Sequence, residues 1–156
     1  MKHLKLLIAL AGVGSLVLAG AAFGSSAHAG AASTVVSTKS TSIGTILVTA
    51  SGQTLYLDSA DKPPHFACTG GCLKAWPPLK ANGALKATGS AKASLLGKTK
   101  GPGGTTVTYK GHPLYTFVSD TKRNPTSGEG QNGFYAVSPA GSEVTPKKPA
   151  SKAPGY

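Results

Sequence analysis

Short stretches of alternating apolar and polar residues, each ended by Gly or Pro, run through the middle of the chain. Residues 45–49 are β-branched and aliphatic, and residues 54–57 form a second stretch with Leu55 and Leu57 on one face. Gly52 supplies a turn between them. A short β-branched stretch and a stretch with a period of two, on either side of a Gly-containing turn, predict a β-hairpin.

The same pattern returns later in the chain. Residues 105–109 predict an outgoing strand, a Lys-Gly turn follows, and residues 114–118 predict a return strand. Residues 134–137 predict a closing strand before a Pro-Ala-Gly turn. Gly and Pro are too frequent elsewhere for helices, apart from one short helical turn within residues 91–96.

The two patterns are copies of one motif, which reads Gly-x-x-Leu-Tyr with an Asp five positions after the Tyr. The matching residues are Gly52, Leu55, Tyr56 and Asp61 in the first copy and Gly111, Leu114, Tyr115 and Asp120 in the second, at an offset of 59. The same offset aligns Gly44 with Gly103, Val48 with Val107, and Trp76 with Tyr135. Two copies are too few for an open solenoid, which takes about three repeats, so we expect them to pack on each other.

The predicted fold is mainly β, with two tandem β-hairpin repeats, about 43–80 and 102–141, packed into one small domain of residues 43–141. Residues 30–42 are rich in Ser, Thr and Ala and predict a flexible leader. Residues 142–156 hold three prolines and three lysines. So few apolar groups cannot offset chain entropy, which predicts a disordered basic tail.

The N-terminus has the three zones of a secretory signal. Two lysines precede an apolar stretch, residues 6–23, and Ala27 and Ala29 are the small residues that a signal peptidase reads. We predict a signal peptide of residues 1–29, with an uncleaved membrane anchor as the alternative.

The segment Leu18-Ala19-Gly20 has the sequence that leads into a bacterial lipoprotein box, which continues with a Cys. Residue 21 is Ala, so there is no thiol at this position for lipid attachment. The expected location is secreted or extracytoplasmic, without a lipid anchor and without an integral membrane span after cleavage.

The chain is basic, with a formal net charge of +11. Removal of Lys2 and Lys5 with the signal leaves +9. Outside the cytoplasm such a protein meets anionic polymers of the cell wall and acidic polysaccharides, which are the expected partners. The alternative is that the charge only keeps the protein soluble. Nucleic acid is not an expected partner, because no visible motif combines aromatic with basic residues and the compartment is wrong.

The only cysteines, Cys68 and Cys72, are separated by Thr-Gly-Gly. An exported pair tends to oxidise, and the redox-active spacing is one residue shorter and begins a helix, which this loop does not predict. A structural disulfide is therefore favoured. The alternative is a metal or electron-handling site that joins these cysteines to His65 and His112, and it requires reduced thiols.

Three further residues have a structural and a functional interpretation. Asp61 and Asp120 follow equivalent strands, where an Asp commonly accepts backbone N–H groups, and a shared cation site is the alternative. Trp76 is expected in the core, with a carbohydrate-stacking platform as its alternative role. No catalytic motif is recognisable, so we expect neither an enzyme nor a cofactor.

The repeat motif, together with Cys-Thr-Gly-Gly-Cys-x-x-x-Trp-Pro-Pro-Leu at residues 68–79, resembles the bacterial secreted-repeat family of predicted lipoproteins with a Tyr-x-aromatic-x-x-Asp motif. Tyr115, Phe117 and Asp120 carry that motif intact, whereas Asp58 takes the aromatic position in the first copy. The resemblance implies export and a repeat fold, but no established activity. The expected function is a secreted, non-catalytic β module that associates with the cell envelope or extracellular anionic polymers.

Overall fold

The computed structural model describes residues 32–145, so the predicted signal peptide and residues 146–156 of the predicted tail lie outside the described part. Its strands are β1 (Thr34–Thr41), β2 (Gly44–Thr49), β3 (Tyr56–Asp58), β4 (Leu85–Ala87), β5 (Leu96–Gly101), β6 (Gly104–Tyr109), β7 (His112–Pro113) and β8 (Phe134–Ala136). A four-residue helix, α1 (Cys72–Ala75), and two 3-10 turns, Ala93–Leu95 and Gln131–Gly133, complete the elements. The mainly β class is confirmed, and the first 3-10 turn lies where a helical turn is predicted.

Each repeat opens with a tight antiparallel hairpin. In the first, β1 pairs with β2 from Val36↔Thr49 to Thr41↔Gly44. In the second, β5 pairs with β6 in the same way, from Leu96↔Tyr109 to Gly101↔Gly104. The two registers are related by an offset of 60 rather than 59.

The glycines at the hairpin turns establish the true alignment of the repeats. Gly44 and Gly104 have φ values of 124° and 117°, a region that side chains disfavour. Gly44 therefore corresponds to Gly104, and the predicted match to Gly103 is wrong by one residue. The offset returns to 59 because the loop that follows β2 is one residue longer than the loop that follows β6.

The flexible leader predicted for residues 30–42 is wrong over Thr34–Thr41, which is strand β1. This strand pairs antiparallel with β2 and parallel with β4, and its Val36 is fully buried. The second repeat likewise begins with β5, before the predicted start at 102. Both strands were missed because hydroxyl groups, lysines and glycines dominate them and few apolar residues reveal the period of two.

The closing segment of each repeat adds to the sheet of the other. The Leu47 N–H of the first repeat donates to the Val137 carbonyl of the second, at 2.7 Å. The Val107 N–H of the second repeat donates to the Leu79 carbonyl of the first, at 2.8 Å. Neither repeat is complete alone, which confirms that the two pack into one body.

The core consists of two clusters on opposite sides of these strands, and both draw on both repeats. One contains Val36, Leu47, Leu55, Leu57, Val107, Tyr109, Leu114 and Val137. The other contains Ile46, Val48, Tyr56, Cys68, Trp76, Tyr115, Phe134 and Ala136. Consecutive residues of β2 enter alternate clusters, because successive side chains of a strand point to opposite faces.

The ordered domain continues beyond its predicted end at residue 141. The Val144 N–H donates to the Ala136 carbonyl at 2.8 Å, and Glu143 forms a bridge with Val137. The start of the predicted disordered tail is therefore wrong. No helix within residues 32–145 is long and apolar enough to cross a membrane.

Because β1 belongs to the core, Val36→Ala is expected to lower the free energy of unfolding by about 2–3 kcal/mol through lost burial and a residual cavity. Chemical denaturation measures this loss. Ser40→Ala, on the exposed part of the same strand, is the control and should change stability by less than about 0.5 kcal/mol. Equal, small effects of the two substitutions would show that this segment is not part of the folded unit.

Candidate functional site

The two motif tyrosines lie side by side where the repeats meet. The Tyr56 N–H donates to the Tyr115 carbonyl and the Tyr115 N–H donates to the Tyr56 carbonyl, both at 2.9 Å. Both side chains are fully buried. This reciprocal pair places the same residue of each copy on either side of an approximate two-fold axis.

The tyrosine hydroxyls cross that axis to the motif aspartates. The Tyr56 hydroxyl donates to Asp120 Oδ2 at 2.9 Å, and the Tyr115 hydroxyl donates to Asp61 Oδ2 at 2.7 Å. The motif Tyr of each copy is therefore bonded to the motif Asp of the other. Burial, and then the hydrogen bond to the aspartate, raises the pKa of both phenols. The hydroxyls consequently remain protonated donors.

The second oxygen of each aspartate fixes a loop of its own repeat. Asp61 Oδ1 accepts the Ala67 N–H at 2.7 Å, and Asp120 Oδ1 accepts the Ser127 N–H at 2.9 Å. Both oxygens of each carboxylate are thus occupied by protein donors. This arrangement supports the structural interpretation, because every oxygen of the two carboxylates already accepts a hydrogen bond from the protein.

Trp76 lies inside a stack of three rings. Its ring centroid is 4.3 Å from that of Phe117 and 3.8 Å from that of Phe134. Only 2 % of Trp76 is exposed and both of its faces are covered, so it cannot be a platform for sugars. The core interpretation is the one that the structure supports.

Phe134, and not the predicted Tyr135, is the counterpart of Trp76. Trp76 meets Tyr56 edge to face at 5.3 Å, and Phe134 meets Tyr115 edge to face at 5.4 Å. The offset for this part of the repeat is therefore 58. A single ungapped offset of 59 does not align this pair, because the offset changes to 58 in this part of the repeat.

Trp76 is larger than Phe134, and the residue beside Trp76 is smaller than the corresponding residue in the first repeat. A Cβ on Gly128 would lie 2.7 Å from Trp76 Cη2 and 3.0 Å from Tyr56 Cζ, so only glycine fits beside the larger ring. In the first repeat Cys68, which is buried, packs into the same cluster as the smaller Phe134.

Cys68 and Cys72 form the predicted disulfide, with an S–S distance of 2.00 Å. Contrary to prediction, α1 begins at Cys72. The bonded sulfurs are not available as thiolate ligands, and His65 is exposed on the loop that precedes them. His112 lies in β7, in the other repeat. Within residues 32–145 no three His, Cys, Asp or Glu side chains are grouped to hold a metal, which conflicts with the alternative metal site.

Asp58 lines a cleft of about 400 Å³ that the sequence analysis did not anticipate. Asp58 is 4 % exposed, and burial is the main cause that raises its pKa. Its Oδ1 accepts the Ala60 N–H at 2.9 Å. The only sequence signal for this site is the missing aromatic residue in the first copy of the motif.

The basic groups of the described domain are exposed, whereas most of its acidic groups are buried or half-buried. All ten lysines and the single arginine of residues 32–145 are exposed. Four of the five acidic residues, namely Asp58, Asp61, Asp120 and Glu129, accept internal hydrogen bonds, which leaves Glu143 as the exposed carboxylate. The surface is therefore more strongly positive than the net charge indicates.

The interlocked repeats, each with a Tyr and an Asp bonded to the other copy, define a class of two-repeat β proteins. The profile of a family described as a secreted repeat of unknown function matches the chain twice, at residues 37–80 and 98–139. These matches cover more than half of the chain, which belongs to this family of secreted repeats. No curated protein and no solved structure is detectably similar to it.

Because Gly128 contacts the ring stack, Gly128→Ala is expected to lower the free energy of unfolding by about 1–3 kcal/mol through overpacking. Gly71→Ala is the matched control, since a Cβ there meets nothing within 4 Å and φ is −64°. The control should be neutral or slightly stabilising. If thermal and chemical denaturation gave the same stability for both variants, the tight packing around the stack would be disproved.

Proposed function

We propose that this secreted module is non-catalytic and acts by associating with anionic polymers of the cell envelope or its surroundings. The observation that carries the proposal is the division of charge, with eleven basic side chains exposed against one exposed carboxylate within residues 32–145. A polyanion contacts many such cations at once, and the field of a uniformly positive surface attracts it from solution.

One groove of the domain offers specific contacts for such a polymer. It has a volume of about 540 Å³ and lies between Lys39 of β1 and Lys122. Asp120, the motif Asp of the second repeat, also lines it, with both of its carboxylate oxygens bonded to protein donors. Ser51 and Gln53 also line it and present hydroxyl and amide groups that suit sugar hydroxyls. Acidic polysaccharide therefore fits the groove better than a purely apolar ligand does.

We further propose that the protein is released and held by charge alone, because Ala21 stands where a lipoprotein carries its acylated Cys. A membrane fraction that retains the protein in high salt would contradict release. Intact mass of the secreted protein gives the cleavage site and any lipid directly.

The secreted protein is expected to be retained on immobilised polygalacturonate at low ionic strength and to elute before about 1 M salt, where the Debye length is about 3 Å. A neutral dextran column should not retain it. The double variant Lys39→Glu and Lys122→Glu removes the lysines of the groove and should elute at a lower salt concentration than a control double variant. The control, Lys74→Glu and Lys92→Glu, changes the net charge equally at exposed positions outside the groove.

Equal elution of the two double variants would restrict the interaction to general surface charge. Failure of the unmodified protein to bind the polyanion would contradict the proposed function itself.

A further inference from the structure

Asp58 stands in the first repeat where the second repeat has a stacked aromatic ring. Asp58 pairs across β3 and β8 with Phe134. The second repeat has the same arrangement. The segment that contains Phe117 lies beside the segment that contains Trp76, and the Thr116 N–H donates to the Pro77 carbonyl. Phe117 stacks on Trp76, whereas no ring within residues 32–145 stacks on Phe134 from the side opposite Trp76. The first repeat therefore lacks a counterpart of Phe117 in the ring stack.

The cleft occupies this side of the domain. Ala60, Ala67, Ala75 and the disulfide form its apolar walls, and Trp76 and Phe134, each 2 % exposed, line it beside Asp58. Asn132, at the rim, is exposed. A volume of about 400 Å³ is within the range of small-molecule sites.

The charge of the cleft is opposite to that of the surface around it. Asp58 is more than nine-tenths buried, and one of its oxygens is bonded to the Ala60 N–H. No donor within residues 32–145 reaches the other oxygen, and no basic residue lines the cleft. All eleven basic side chains of residues 32–145 are exposed, and none of them lines the cleft.

We propose that this cleft binds a planar organic cation of the guanidinium or amidinium class. The cation donates hydrogen bonds to the open oxygen of Asp58, and its planar body lies between the apolar walls, on the side of Phe134 that faces away from Trp76, which is the counterpart of the place that Phe117 takes in the second repeat. Planar cations with several donors suit both a carboxylate and an aromatic surface, which an ammonium group does less well.

Other ligand classes fit the cleft less well. A hard metal cation requires about six oxygen ligands, and Asp58 supplies one open carboxylate oxygen among apolar walls. An anionic sugar would be repelled by Asp58 and by the nearby Asp61. The site is therefore separate from the groove between Lys39 and Lys122, and it does not depend on the proposed binding of polyanions.

Benzamidine is the probe, because it combines an amidinium with a flat ring, and benzamide is its neutral isostere. Amide and indole NMR shifts of the intact secreted protein should change saturably at Asp58, Ala60, Asn132 and Trp76. Benzamide should bind at least tenfold more weakly. Asp58→Asn should weaken benzamidine binding by tenfold or more, and Asp58→Phe, which supplies the missing ring, should abolish it.

Glu143→Gln removes the same charge from the exposed surface and should leave benzamidine affinity unchanged. Absence of saturable shifts in the cleft, or equal affinity for benzamidine and benzamide, would overturn the proposal. The comparison of the two probes uses the unmodified protein, so it remains decisive even where a variant at Asp58 fails to fold. Retention on polygalacturonate should be the same with and without benzamidine, which separates this site from the polymer groove.

Discussion

The crossed hydrogen bonds between tyrosines and aspartates are the interaction on which the rest of this structure depends. Each hydroxyl leaves its own repeat and reaches the carboxylate of the other, and each carboxylate then fixes the loop that follows it. A buried carboxylate without a donor is costly, so neither repeat satisfies its own polar groups alone. The Tyr and Asp of the family motif are thus explained as the two halves of one reciprocal contact.

The chemistry that is specific to this chain lies in the differences between its copies. Trp76 with Gly128 in one half corresponds to Phe134 with Cys68 in the other, which keeps the packed volume balanced. No ring within residues 32–145 takes the place of the aromatic residue that Asp58 replaces, and a cleft lies beside it. The common scaffold therefore supports the fold, while the departure from symmetry supplies the candidate binding site.

The sequence predicted the elements whose residues carry a local signal. Tyr56 and Asp61 recur in the second copy, and the close spacing of two exported cysteines favours a bridge, so both the repeat and the disulfide can be predicted from the sequence. Strand β1 cannot be predicted in this way, because its polar residues are stabilised by pairing with β2 and β4 rather than by a hydrophobic period. The cleft could not be predicted, because it depends on the distant pairing of Asp58 with Phe134.

A double-mutant cycle on Tyr115→Phe and Asp61→Asn tests the central claim most directly, with the free energy of unfolding as the measured quantity. A direct bond to a charged, buried acceptor predicts a coupling energy of about 1.5–3 kcal/mol. Tyr109→Phe with Asp61→Asn serves as the control, because the Tyr109 hydroxyl bonds to Lys92 and Pro139 and shares no partner with Asp61, and this pair should be additive within about 0.5 kcal/mol. Additivity of Tyr115 with Asp61 would contradict the account, because the repeats would then be held together without their crossed bonds.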